Sequence, residues 1–284
     1  MWTMFINPET DEVVEGKVYM PKGQVKKVLI ICPGYRGDFV LQERHYAHDF
    51  CRSGRAVICL RHNSLRTVGK DVENYVHCPQ RQVTGGRYTG EGAFSVKKAN
   101  REVLTVLKAL EPVGDIEEID ILAHSWGGQI SLESLKAIKE SGEMGAVKKL
   151  KNLVLLGATL DSRPETYLAY REAFVSDAKQ DFFNCMDPDQ IIEDFLDNAE
   201  DMGNFSSADI PENVRIVIIN SSADQEIDVE NEQIPFHGKI QDCYESTWIF
   251  LRVDPIEIAL GGRSSEGHDY IDSQIWEVIQ DIIK

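Results

Sequence analysis

Ten residues, Ile119 to Gly128 (I-D-I-L-A-H-S-W-G-G), constrain this chain more than any others. Ile119, Ile121, Leu122 and Ala123 form an apolar run that ends just before Ser125. A helical pattern begins at once, with Ile130, Leu132, Leu135 and Ile138 recurring at steps of two and three residues. Strand, sharp turn and helix with a serine at the apex is a crowded arrangement. The serine has to enter a strained backbone conformation, so the positions two before and two after it must be small. Gly127 and Gly128 meet that need, and Ala123 adds only a methyl group. Serine is also a good helix N-cap, so the pentapeptide alone fits an ordinary helix start. The strand before it and the helix after it set it apart.

The rest of the chain alternates in the same way. Trp2 to Ile6 and Val13 to Tyr19 flank a turn-rich N-P-E-T-D-E, which predicts an opening hairpin. Val28 to Cys32, Ala56 to Leu60, Leu153 to Leu156, Val214 to Ile219 and Thr247 to Val253 are the further strand candidates. Apolar runs of this kind, without polar alternation, are expected of strands buried on both faces. Between them lie helical patterns: from Asp38 through Phe50 to a stop at Gly54, from Val96 to Leu110, after Ser125, and at the C-terminus on Ile271, Ile275, Val278, Ile279 and Ile282. The alternation predicts an α/β fold, a mostly parallel central sheet flanked by helices. Residues 61–95 read as one long, polar, locally basic loop broken by Gly85, Gly86, Gly90 and Gly92. Loops of that length are often functional.

Residues 159–211 interrupt the rhythm. They carry 13 acidic and three basic residues, and their periodicity is helical throughout. Ser162-Arg163-Pro164-Glu165 reads as a capping box with proline near the first helical position, leading into Phe174 and Ala178. Asp187-Pro188-Asp189 opens a second amphipathic helix with Ile191, Ile192, Phe195, Leu196 and Ala199. The expected organisation is a core of residues 1–158 and 212–284 with a helical cap, 159–211, inserted into it.

Charge excludes some partners. With 30 basic against 47 acidic residues the formal net charge is −17. Nucleic acid and anionic membrane surfaces both need a positive face, so neither is expected. Six cysteines occur without any C-x-x-C, which leaves zinc and thioredoxin-like readings unsupported. Reduced thiols in a cytoplasmic setting are the simpler expectation. The opening M-W-T-M-F-I-N-P-E-T lacks the pattern of a secretory leader, and no apolar run nears the roughly 20 residues of a membrane helix.

A serine hydroxyl needs a base to become a nucleophile, and the base, usually histidine, needs a carboxylate to orient it. In open α/β sheets such groups gather in loops at the carboxyl ends of strands. After Val214 to Ile219 comes N-S-S-A-D-Q-E-I-D, with Asp224 five residues past the strand. After Thr247 to Val253 the loop reaches S-S-E-G-H-D-Y, with His268 just before the final helix. Asp228 is the rival acid but lies further from the strand end. With Ser125, Asp224 and His268 in that order, and Ala123-His124-Ser125-Trp126-Gly127 close to G-x-S-x-G, the chain resembles the α/β-hydrolase superfamily, in its serine esterase, thioesterase and peptidase-like branch. The resemblance covers nearly everything from Val28 onward. It implies acyl-transfer chemistry in which Ser125 attacks a carbonyl, His268 shuttles the proton and Asp224 orients His268. It further implies an oxyanion hole of backbone N–H groups at Trp126 and Tyr35, where the Pro33-Gly34 loop replaces the His-Gly of many members. Neither cofactor nor metal is implied. The substrate expected is a small or medium-sized ester or thioester. A peptidase or amidase, or a non-catalytic ligand-binding protein on the same fold, are the alternatives.

Other residues divide between roles. His124, beside the serine, reads as packing or pocket wall, with Gly34 next to the expected oxyanion donor. Phe174, Phe182, Phe183 and Phe195 fit either a substrate pocket or the core of the cap. His45 and His48 lie three apart, a spacing that could bind metal, but no third ligand accompanies them; a solvated face, which Glu43 also fits, is the expectation. The acidic cap is an ordinary solvated surface or a filter that favours cationic substrates. The basic 61–95 loop could touch it electrostatically and gate the site.

Overall fold

The computed structural model describes residues 2–7, 10, 12–35, 46–62, 94–142, 145, 147–179, 187–253, 268, 270 and 273–284. Eight strands, β1 (Trp2–Ile6), β2 (Val13–Tyr19), β3 (Lys27–Cys32), β4 (Arg55–Arg61), β5 (Glu118–His124), β6 (Leu150–Leu156), β7 (Arg215–Ser221) and β8 (Thr247–Leu251), form one sheet in the order β1-β2-β4-β3-β5-β6-β7-β8. The opening hairpin pairs antiparallel and joins β4 antiparallel. From β4 to β8 every pairing is parallel. Every strand expected from an apolar run is present.

The unbroken apolar runs have a plain cause. Val28, Ile30 and Cys32 of β3 pack into one cluster with Val103 and Leu107 of α3 (Glu102–Leu110) and Ile130 and Leu135 of α4 (Trp126–Ser141). Leu29 and Ile31 face the opposite way. They join Phe50 of α1 (His48–Arg52) and Ile275 and Ile279 of α9 (Ser273–Ile282). Successive strand side chains point to opposite faces, so helices on both sides demand apolar residues at every position.

Two helical expectations are corrected. The helix over 96–110 is broken into α2 (Val96–Ala99) and α3. Asn100 supplies the reason. Its carbonyl accepts from Ser134 Oγ at 2.7 Å, and its side-chain amide donates to Asn198 Oδ1 at 2.8 Å. The second correction is the capping box. The helix begins at Pro164, with Arg163 at the cap and no side-chain cap bond. The carboxylate of Asp161 does the work instead, accepting from Arg163 N at 2.8 Å and Thr166 Oγ1 at 2.7 Å. Three helices, α5 (Pro164–Ala169), α6 (Arg171–Lys179) and α7 (Pro188–Asn204), run between β6 and β7, followed by α8 (Ile234–Ile240) after β7. Asp187 caps α7 by accepting from Asp189 N at 3.0 Å, with Pro188 at its first position.

Several expectations fall outside the described residues: Asp38, Glu43 and His45, most of the 61–95 loop, and Phe182 and Phe183. Among the described residues, Cys32, Cys51 and Cys243 are free thiols, no helix is long and apolar enough to cross a membrane, and no cluster of three metal-ligating side chains occurs.

Candidate active site

Ser125 stands between β5 and α4 at φ 52° and ψ −128°, one of three described non-glycine residues with positive φ. Such a conformation costs of order 1–3 kcal/mol and persists only where the surroundings enforce it. Here the backbone does so. Ser125 N donates to Leu156 O, and Ser125 O accepts from Gly128 N and Thr159 N, each at 3.0 Å. The small neighbours are required by space. A Cβ on Gly127 would meet Pro33 O at 2.4 Å, and one on Gly128 would meet the Ala158 methyl at 2.3 Å. Gly34 lies against the serine from the other side, where a Cβ would stand 2.9 Å from Ser125 Cβ and 3.3 Å from its Oγ.

Asp224 and His268 meet as expected. His268 Nδ1 donates to Asp224 Oδ2 at 3.0 Å. Asp224 Oδ1 accepts from Glu226 N at 2.9 Å and Ile227 N at 3.3 Å, and the Tyr270 hydroxyl also bonds the carboxylate. Burial alone would raise the Asp224 pKa, but the His268 hydrogen bond and charge and these further donors together hold it below the ordinary carboxylate value. The rival, Asp228, is engaged elsewhere: it caps Asn231 and accepts from Arg163 Nη1 at 3.2 Å.

The third contact is not closed. Among the described residues the Ser125 hydroxyl makes no hydrogen bond, and His268 Nε2 lies 3.9 Å from Glu226 Oε2. Catalytic hydrogen bonds are often long before substrate is bound. His124 links the two groups. Its Nε2 donates to the His268 carbonyl, and the two imidazole centroids are 4.8 Å apart. Burial, then the neighbouring His268, push the His124 pKa down to about 3, so it is a neutral, buried packing residue.

Three participants carry no sequence motif. His62, fully buried just past β4, has Nδ1 2.7 Å from Glu102 Oε2 and Nε2 2.9 Å and 3.1 Å from the carbonyls of Pro33 and Gly34. Carbonyls only accept, so Nε2 carries the hydrogen. The pair thereby ties the Pro33-Gly34-Tyr35 segment to α3. Tyr270, two residues past His268 and at φ 54°, accepts from Ser221 N at 3.1 Å and receives the Tyr46 hydroxyl on its carbonyl. The strand-end logic that finds Asp224 and His268 would also have singled out His62. Glu232, in a polar run, offers no such signal.

A cavity of about 170 Å³ opens beside these groups. Its lining includes Tyr35, Trp126 and His268 from the sheet side, and Tyr167, Tyr170, Phe174 and Phe195 from α5–α7 and the turn within them. Phe174 and Phe195 are both buried and stacked at 4.7 Å, and Tyr35 packs edge-on against Phe174 at 4.8 Å. Trp126 is the first residue of α4, so its backbone N–H has no partner in a preceding turn.

The fold is that of the α/β hydrolases. A model of a family described as "Alpha/beta hydrolase of unknown function (DUF900)" matches residues 79–174. Among solved structures, the chain is similar to a highly thermostable carboxyl esterase from Bacillus coagulans, at 14% identity and a TM-score of 0.61, covering 100% of this chain and 99% of that one. It is similar to a lipase in its open form, at 15% identity and a TM-score of 0.62 with 100% and 99% covered. Mouse alpha/beta hydrolase domain-containing protein 10 is similar at 16% identity and a TM-score of 0.58, with 99% of each chain covered. At these identities the likeness is one of fold. None of the curated proteins compared matches the chain in sequence.

Proposed function

We propose that this chain is a serine hydrolase that cleaves a carboxylic ester or thioester of a small or medium-sized molecule. Ser125 Oγ attacks the carbonyl carbon while its proton passes to His268 Nε2. Asp224 holds the imidazole by Nδ1 and stabilises its charged form. The oxyanion of the tetrahedral intermediate is received by the backbone N–H groups of Trp126 and Tyr35. His268 returns the proton to the leaving alcohol or thiol. Water, deprotonated by His268, then attacks the acyl group on Ser125 and frees the acid. The helices α5–α7 serve as a cap, residues 159–211 being an insertion into the core.

The single observation that carries this reading is the Asp224–His268 pair at 3.0 Å beside a serine held at positive φ. Strain of that kind at an accessible serine is expected where a hydroxyl must be presented. The aromatic side chains of α5–α7 in the cavity wall support the cap. The open contact at Ser125 favours a second reading, a ligand-binding protein that keeps the fold without the chemistry. A panel of p-nitrophenyl esters and acyl thioesters of graded chain length tests the two. Turnover abolished by Ser125→Ala is the expected result, and the absence of turnover by folded wild type across the panel would favour the binding protein.

A further inference from the structure

The cavity beside Ser125 has an electrostatic character that ester cleavage does not require. Among the described residues its walls hold two carboxyl groups, Glu226 and Glu232, and no lysine or arginine. Glu232 is only 5% exposed. Its Oε1 accepts both hydrogen bonds made to the side chain, from Leu160 N and from Gln233 Nε2 at 3.0 Å. That leaves Oε2, on a group that lines the cavity, without a hydrogen-bond partner among the described residues. An oxygen left this way on a largely buried side chain at a cavity wall is open to a ligand's hydrogen bond.

Arg163, whose charge bears on Glu232, is already committed. Arg163 is clamped by Asp161 through Nε at 2.8 Å and through Nη2, and it also reaches Asp228 Oδ2 at 3.2 Å. Its one charge is thus shared between two carboxylates before Glu232 is considered. Burial raises the Glu232 pKa to about 8, so the carboxyl of the empty pocket keeps its proton at neutral pH and gives it up to solvent when a cation takes its place. Around it stand aromatic rings: Tyr35, Trp126, Tyr167, Tyr170, Phe174 and Phe195. Their faces carry negative potential and attract a desolvated cation. A buried carboxyl with a vacant oxygen and a wall of aromatic rings, in a space about the size of a benzene-binding cavity, suit a small ammonium better than a neutral or anionic group.

We infer that the pocket selects substrates bearing a positively charged amino group, with Glu232 Oε2 as its counter-ion and the aromatic wall as its lining. This rests on the hydrolase reading above and narrows its substrate class. Glu226, 3.9 Å from His268 Nε2, is a further carboxylate at the same mouth.

Binding, unlike turnover, tests this independently of the chemistry. The full chain is titrated calorimetrically with benzylammonium and with benzyl alcohol, which share a ring and differ in charge. The expected result is roughly tenfold or more tighter binding of the ammonium, with the preference collapsing in Glu232→Gln. Equal affinities in the wild type, or a preference that survives in a folded E232Q, would overturn the inference. Should circular dichroism show E232Q unfolded, the wild-type comparison decides alone. A fluorophosphonate reaction run in parallel reports on Ser125: failure there counts against the hydrolase reading and leaves the titration result standing.

Discussion

Asp224 and His268 lie 44 residues apart in the chain, and their carboxylate oxygen and imidazole nitrogen stand 3.0 Å apart in the fold. The carboxylate can accept from the imidazole only in one tautomer, so the pair leaves His268 Nε2 as the proton-accepting atom. Replacing Asp224 by Asn keeps the volume and loses that control. D224N is expected to fold and to lose about 10³- to 10⁴-fold in kcat, with KM little changed, as measured on any ester the wild type turns over.

The same carboxylate makes stability depend on pH. Burial would raise its pKa, but the His268 bond and charge, with the Glu226 N–H and the Tyr270 hydroxyl, together hold it below the ordinary value in the fold. Such a group contributes stability that is fully present above its unfolded pKa and is lost as pH falls through its folded one. Acid unfolding followed by circular dichroism should therefore show a smaller loss for D224N than for wild type below the ordinary carboxylate range. Parallel curves would contradict this.

Glu232 has the opposite sign. Its pKa is raised from 4.5 to about 8, by burial first. Between those values the unfolded chain has released the proton and the fold still holds it, so wild-type stability falls as pH rises. The slope attributable to one proton is at most about 1.4 kcal/mol per pH unit. The groups bearing on Glu232 are Asp161, which raises its pKa further, and Arg163, which opposes the shift. Urea unfolding of wild type and E232Q across this window should give a difference that shifts in favour of E232Q with rising pH, and a constant difference would contradict it.

Gly157 is required for a different reason. It sits at φ 44°, and a Cβ there would meet Tyr270 Cε2 at 2.4 Å and Asp224 Oδ2 at 2.8 Å. Gly142, at φ 71°, has nothing within 4 Å of an added Cβ. Gly142→Ala should thus cost only the backbone strain, about 1 kcal/mol, and leave kinetics alone. Gly157→Ala adds overpacking of about 1–3 kcal/mol and should also lower kcat, because it displaces the acid. Paired denaturant curves and kinetics separate the two effects.

His62 stands directly after β4, and it holds the Pro33 and Gly34 carbonyls and Glu102 at once. His62→Ala would remove a hydrogen-bond partner from the buried Glu102 carboxylate and from both carbonyls, at a cost of about 1–3 kcal/mol. His62→Gln retains one donor for the carbonyls. It should recover part of the stability and, because the Tyr35 segment is held again, more of kcat than of KM. Equal kcat for both variants would argue that His62 acts on stability alone.

What could be read in advance follows from burial. Strands such as β3 and β7 face helices on both sides, so their sequences carry no polar interruption and are visible without any partner. Ser125 was legible because its turn needs small residues at Gly127 and Gly128, and Asp224 and His268 because strand ends collect functional groups. The break at Asn100 was not, since it depends on Ser134 and Asn198 from distant segments. The Ser162 capping box looked sound locally but lost to Asp161, whose carboxylate reaches Arg163 and Thr166 together. Glu232 was hidden among acidic neighbours, because nothing in a run of polar residues tells which one faces inward.

The central claim is that Ser125 is a nucleophile activated by His268. A fluorophosphonate probe reacts with such a hydroxyl and not with an ordinary serine. The most direct measurement is intact and peptide mass spectrometry of the chain after exposure to the probe. One adduct on Ser125, absent in Ser125→Ala and slowed in D224N, is the predicted result; folded wild type that stays unmodified would contradict it.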